Sequence, residues 1–282
     1  MNDVGNIQWF PGHMTKTRRL IEADLKMVDA VVEITDARIP ESSRNPILDE
    51  LVKDKPRIIL MNKCDYADEA ATRTWKQFYE KKGIRVLTCD CRSGKGLNAF
   101  LPEVKRLLAD LIERRKKRGM IGKALRLMVV GIPNVGKSSF INRMAKTKKT
   151  KVGDKPGVTR GKQWVSIDKD VELLDMPGIL WPKFDDQLAA QRLAFTGAIK
   201  DDVMDTEALA RALGAVLKEQ YPELLNARYK LSGDEDILRD IAKSRGMLVS
   251  GGEPDTERAA AALLDEYRGG KIGRITLEKP GN

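Results

Sequence analysis

The stretch that most constrains this chain runs from Leu125 to Phe140, LRLMVVGIPNVGKSSF. Its apolar opening reads as a strand buried on both faces, the pattern of a parallel sheet. Next comes the spacing G-x-x-x-x-G-K-S, from Gly131 to Ser138, and then a helical pattern. A strand, a glycine loop and a helix in that order make a phosphate-binding loop. The loop's glycines let the backbone curl, so that the amides from Asn134 through Val135, Gly136, Lys137 and Ser138 to Ser139 can face phosphate oxygens. The helix that opens at Lys137 adds the positive end of its dipole. Lys137 is expected to reach the β- and γ-phosphates, and the Ser138 hydroxyl to ligate Mg²⁺.

A phosphate loop does not choose a base. Arg57-Ile-Ile-Leu-Met-Asn-Lys-Cys-Asp65 is a second buried strand, ending in N-K-x-D. A carboxylate at Asp65 can accept from both N1–H and the 2-amino group of guanine, while Asn62 reaches N7 and the stem of Lys63 lies along the ring. Adenine lacks both donors and would leave a desolvated carboxylate unpaired, a mismatch of roughly 1–3 kcal/mol or more. The stretch Cys89-Asp-Cys-Arg-Ser-Gly-Lys-Gly96 fits a second guanine loop, with Asp90 and Cys91 at the positions usually held by Ser and Ala. The backbone N–H of Cys91 is then expected to face guanine O6.

The order of these parts is unusual. The base-reading motif lies before the phosphate loop, whereas GTPases usually have it after. The remaining parts follow the same rotation. Thr159, in Pro156-Gly-Val-Thr-Arg-Gly161, stands where a switch threonine that ligates Mg²⁺ belongs, and Val171–Gly178 is a strand ending in D-x-P-G. There Asp175 can hold Mg²⁺ through water and the Gly178 N–H can meet a γ-phosphate. The fold expected is an α/β, circularly permuted P-loop GTPase domain over residues 1–182, with a mostly parallel sheet covered by helices on both faces. After Pro182 the α/β pattern stops, and residues 183–282 read as a small helical domain, with helices expected over 187–199, 205–220, 234–245 and 255–267.

Charge is placed unevenly. Residues 1–182 carry 36 Lys and Arg against 23 Asp and Glu, and the remainder 15 against 18. A basic half favours a polyanionic partner through counterion release. It includes the runs Arg114-Arg-Lys-Lys-Arg118 and Lys146-Thr-Lys-Lys-Thr-Lys151, which suit either a helix C-terminus and a solvated loop or RNA phosphates. No apolar run approaches the ~20 residues of a membrane span, and no basic-then-apolar leader opens the sequence. The expectation is a cytoplasmic, monomeric protein with no membrane partner, whose three cysteines, Cys64, Cys89 and Cys91, are reduced thiols.

With Gln8-Trp-Phe-Pro-Gly-His-Met14, Asp36-Ala-Arg-Ile-Pro40 and Ser43-Arg-Asn-Pro46 added to the nucleotide motifs, most of the chain resembles the YlqF/RbgA family of permuted GTPases. The resemblance implies GTP hydrolysis to GDP and a role in late assembly of the large (50S) ribosomal subunit, with docking on its RNA and proteins in the GTP state. The residues after Gly178 are Ile179 and Leu180, and neither can orient an attacking water. A site slow on its own and stimulated by the subunit is therefore expected. His13, the only histidine, is either structural or the residue that orients water. Asn134 matches GTPases that hold K⁺ in place of an arginine finger. A guanine-nucleotide-gated RNA-binding protein with incidental hydrolysis is the alternative.

Overall fold

The computed structural model describes residues 14–52, 55–120, 122–146, 163–176, 178, 186–199, 201 and 204–281. The chain divides into two compact units, Phe10–Lys183 with Glu278–Asn282, and Phe184–Leu277.

The first unit is an α/β sandwich. Helix α1 (Met14–Leu25) leads into β1 (Ala30–Asp36), α2 (Pro46–Leu51), β2 (Arg57–Asn62), α3 (Glu69–Lys81) and β3 (Arg85–Thr88). Then follow α4 (Phe100–Leu107), α5 (Ala109–Lys117), β4 (Leu125–Val130), α6 (Lys137–Lys146), β5 (Gln163–Asp168) and β6 (Val171–Asp175). The sheet order is β3-β2-β1-β4-β6-β5, parallel except for the edge strand β5, which forms an antiparallel pair with β6. Strand β1 is buried along its whole length because β2 and β4 flank it and helices cover both faces.

From the central pair, β1 leads outward to β2 and β3, while β4 leads to β6 and β5. The crevice between β1 and β4 is thus a topological switch point, where open α/β sheets bind ligands. The parallel register places Asp36 beside Asn62 and Val129 beside Asp175. Asp36, Asn62, Asp175 and the loop after β4 therefore share one edge.

Sequence periodicity predicts helices over 15–27 and 97–117, and the structure departs from both readings. The first has too many apolar residues for a clean stripe and reads as largely covered. Among its described side chains the buried ones are Ile21, Asp24 and Leu25, continued by Val28 beyond the helix end, an i, i+3, i+4, i+7 face, with Met27 45% exposed. The fourth member of the stripe is an aspartate, which hydropathy does not count. The long helix expected from Leu97 to Lys117 begins with a 3₁₀ turn over Leu97–Ala99 and bends at Leu108. Its hydrogen bonds continue through the bend, from Leu108 N–H to Val104 and from Ile112 N–H to Leu108. Leu108 is turned into the core, and α5 beyond it buries no side chain.

The second unit contains α7 (Gln187–Phe195), α8 (Thr206–Gln220), α9 (Pro222–Tyr229), α10 (Ile237–Ser244) and α11 (Thr256–Arg268). Helix α9, with Pro222 in its first turn, is a helix the sequence reading omits. Asp186, Asp205, Asp236 and Asp255 each cap a helix by accepting backbone N–H groups of its first turn, worth about 1 kcal/mol apiece. The acidic balance of this half is thus partly structural. Buried Asp240 extends the pattern: its carboxylate gathers the N–H groups of Ser232, Gly233 and Asp234 and the Ser232 hydroxyl. Burial would raise its pKa, but those donors hold it below the usual range.

After α11 the chain runs extended, burying Ile272, Ile275 and Leu277, and then rejoins the first unit. Glu278, 4% exposed, accepts from the backbone N–H of Glu41 at 2.7 Å and of Ser42 at 3.1 Å, and from the Ser42 hydroxyl. Its own carbonyl accepts from the Trp75 indole at 3.0 Å. The expected outcome for Glu278→Ala is a loss of about 1–3 kcal/mol, because the buried Ser42 amide and the partly buried Glu41 amide lose their acceptor. A lower urea midpoint at unchanged slope would report it, and an unchanged midpoint would contradict it.

Candidate nucleotide site

The loops at the carboxyl edge of the sheet converge on one side chain. Asn62, 3% exposed at the end of β2, donates from Nδ2 to the Val135 carbonyl at 2.7 Å. Its Oδ1 accepts from the Cys91 N–H at 2.9 Å. One amide thus ties the N-K-x-D segment to the phosphate loop and to the loop after β3. The amide expected to face guanine O6 is the one that Asn62 engages. Gly136 packs against the Asn62 amide so closely, at φ +101°, that a Cβ there would collide with it.

The phosphate loop takes the curled form its spacing predicts. Asn134 and Lys63 both hold positive φ, 61° each, two of only three non-glycine residues to do so among those described. Left-handed backbone of this kind costs about 1–3 kcal/mol per residue and collects at functional sites. Lys137 is buried and donates from Nζ to the carbonyls of Gly131 (2.9 Å) and Ile132 (2.8 Å). Burial pushes its pKa down to about 8, partly offset by the Asp175 charge. An anion beside it would restore the charged form. Gly178 also stands against this loop: a Cβ there would lie 2.9 Å from Lys137 Nζ and 3.1 Å from Pro133 Cα. The end of D-x-P-G and the phosphate lysine are therefore neighbours.

Lys63 is anchored by Asp36. The carboxylate accepts from Lys63 Nζ at 2.9 Å and from Arg38 Nε and Nη2 at 2.9 and 2.7 Å. Burial would raise the Asp36 pKa, but the Arg38 and Lys63 charges pull it well below the carboxylate range. The D-A-R motif is thus a buried ion pair that positions Lys63 of the N-K-x-D segment. Asp65 is half-buried; desolvation and the nearby Asp90 charge raise its pKa. A donor pair such as the guanine N1–H and 2-amino group would relieve both. Asp90 shapes its own loop, accepting from the N–H of Arg92 at 2.8 Å and Ser93 at 3.1 Å.

Sequence reasoning missed two supports of that loop. The Arg143 guanidinium, from α6, donates to the Ser93 carbonyl, and Arg92 donates to the Tyr66 hydroxyl. An arginine on a helix surface, like Arg143, or in a turn, like Arg92, carries no signal for such a contact. His13 and Thr159 lie outside the described residues, as does the Lys146–Lys151 run beyond its first residue. Cys64, Cys89 and Cys91 are free thiols. Among the described residues no cluster of three or more His, Cys, Asp or Glu could hold a metal ion, and no helix is long and apolar enough to cross a membrane.

A protein-family profile described as 50S ribosome-binding GTPase matches residues 126–226, from the phosphate-loop strand onward, and leaves the N-K-x-D segment upstream. The chain is 47% identical to a ribosome biogenesis GTPase A of Bacillus licheniformis, over 97% of this chain and 98% of that one. It is 34% identical to a protein of the same name from Thermotoga maritima, over 97% and 95%. A solved GDP-bound YlqF is similar with a TM-score of 0.69 at 29% identity, covering 94% of this chain and 100% of the other. By near-full-length identity and by the arrangement of its nucleotide edge, the chain belongs to the ribosome biogenesis GTPase A (YlqF/RbgA) family and is a GTPase built on a circularly permuted P-loop fold.

Proposed function

We propose that this GTPase serves late maturation of the large ribosomal subunit in the cytoplasm, docking as a GTP-bound monomer and leaving after hydrolysis. The observation that carries the reading is the near-full-length identity to proteins named for ribosome biogenesis. The nucleotide edge supports it. Asp65 reads the guanine N1–H and 2-amino group, and Asn62, Lys63, Asp90 and Cys91 shape the base pocket around it. The amides from Asn134 to Ser139 cradle the phosphates, and Lys137 leaves its two carbonyls for the β- and γ-oxygens.

The Ser138 hydroxyl in the first turn of α6 and the Asp175 carboxylate at the end of β6 are hard oxygen donors of the kind Mg²⁺ takes. With Thr159 they would hold the ion. Bound there, Mg²⁺ neutralises charge on the transferring phosphoryl group. The Gly178 N–H senses the γ-phosphate, and its closeness to Lys137 supports that role. Asn134, exposed at the mouth of the loop, is the K⁺ ligand, and His13 orients the attacking water once the subunit holds it in place.

The division into a GTPase domain over residues 1–182 and a helical domain over 183–282 that docks on ribosomal RNA and protein draws support from the break between Lys183 and Phe184. The charge excess in residues 1–182 favours the second reading, an RNA-binding protein gated by guanine nucleotide, equally well. Single-turnover hydrolysis separates them. Purified large subunits should raise the rate at least tenfold, and His13→Ala should bind GTP normally yet lose the rise. Subunits that leave the rate unchanged would support the gated binder.

Two results test the site. Asp65→Asn should weaken GTP binding at least tenfold and improve xanthosine triphosphate binding, since an amide can donate to the 2-oxo group; competition against a labelled nucleotide reads both. Hydrolysis should be faster in KCl than in NaCl at equal ionic strength, and Asn134→Ala should abolish the difference.

A further inference from the structure

At the edge of the sheet opposite the nucleotide lies a cavity of about 480 Å³, where the end of α5, the turn before β4 and the β5–β6 turn meet. Leu125 lines it and Gly131 begins the phosphate loop, so the length of β4, roughly 20 Å at ~3.3 Å per residue, separates the two sites. Its floor is apolar, built by Ile112, Met120 and Leu125, with Met120 41% exposed. Its rim is cationic: Lys105, Lys116, Lys123 and Lys169, with Arg115 beside them and Asp170 the one acidic residue of the lining.

Two of these cations have structural work. Arg115 pairs with Asp29 at 2.6 Å, and Lys105 lies 3.6 Å from Asp168. Lys116, Lys123 and Lys169 have no carboxylate in ion-pair reach among the described residues. A helix C-terminus accounts for Lys116. It does not account for Lys123 or Lys169, which come from two other segments and are brought to the same rim by the fold. Converging like charges are unfavourable until an anion joins them.

We propose that this hollow binds one nucleotide of single-stranded RNA, the base on the apolar floor and the flanking phosphates on Lys116, Lys123 and Lys169. The volume lies in the range of small-molecule sites and fits a nucleotide. A thioether packs well on aromatic ring faces, and a base can enter only when out of its stack, as in RNA loops and bulges. The proposal deepens the ribosomal reading above and rests on it: it names the surface on the GTPase unit that meets RNA.

The experiment uses the full chain loaded with GDP and a fluorescent single-stranded oligoribonucleotide, titrated across KCl concentrations. Wild type should bind with a salt-dependent affinity. In K116A/K123A/K169A the slope of log affinity against log salt should shrink by about 2, at ~0.7 per lost phosphate contact on a single strand. Met120→Ser should weaken binding severalfold at unchanged slope. Basal GTP hydrolysis should match wild type in both variants, which also shows that they fold. Wild-type protein that ignores the oligonucleotide, or variants that bind it with wild-type affinity and slope, would overturn the proposal.

Co-sedimentation with large subunits keeps the two readings apart. Wild type that fails to pellet with subunits defeats the ribosomal role, whatever the hollow does. Variants that lose the subunit while keeping the oligonucleotide would assign the hollow to a ribosomal protein and overturn the RNA assignment.

Discussion

The nucleotide edge depends on a single primary amide. Asn62 has a donor end and an acceptor end, and the structure uses both, one on the Val135 carbonyl and one on the Cys91 N–H. An aspartate would present a second acceptor to Val135, and a leucine would leave both backbone groups buried and unpaired. A buried amide left without its partner costs about 1–3 kcal/mol, so the three loops stand or shift together. Gly136, pressed against the same amide, closes the arrangement from the other side.

Permutation leaves this geometry untouched because the edge is defined by strand direction, not by chain order. β1, β2, β3, β4 and β6 all run parallel, so their carboxyl ends meet on one side however the loops connect them. The two strands of the guanine side lie on one flank of the β1–β4 crevice and the two of the switch side on the other. Cutting the chain between the flanks changes which half is made first and nothing about where Asp65, Lys137 or Asp175 end up.

Much of the site was legible in the sequence because its chemistry is carried by short, contiguous spacings. Gly131 to Ser138, Asn62 to Asp65 and Asp175 to Gly178 each sit on one strand end, and local patterns suffice to find them. What the sequence hid was long-range or polar. Arg143 reaches the Ser93 carbonyl across 50 positions, and no periodicity announces such a bond. Asp24 completes the buried stripe of α1 while reading as a surface residue. Leu108, at φ −101° and ψ 18°, is turned into the core and breaks the helix there although the sequence pattern runs on. Helix α9, which the sequence reading omits, opens with Pro222 in its first turn, where proline is a favourable start.

The strap at Glu278 has a meaning in time as well as in space. The phosphate loop is synthesised about 140 residues before Glu278, an interval of roughly 7–28 s at ~5–20 residues per second. Through that interval the base-reading and phosphate-holding segments already exist, while the Glu41 and Ser42 amides wait for their carboxylate. The Trp75 indole likewise waits for the Glu278 carbonyl. The nascent chain can therefore meet guanine nucleotide before its own sheet domain is finished. In that window a nucleotide that bound the folded edge and not the open chain would favour folding by mass action.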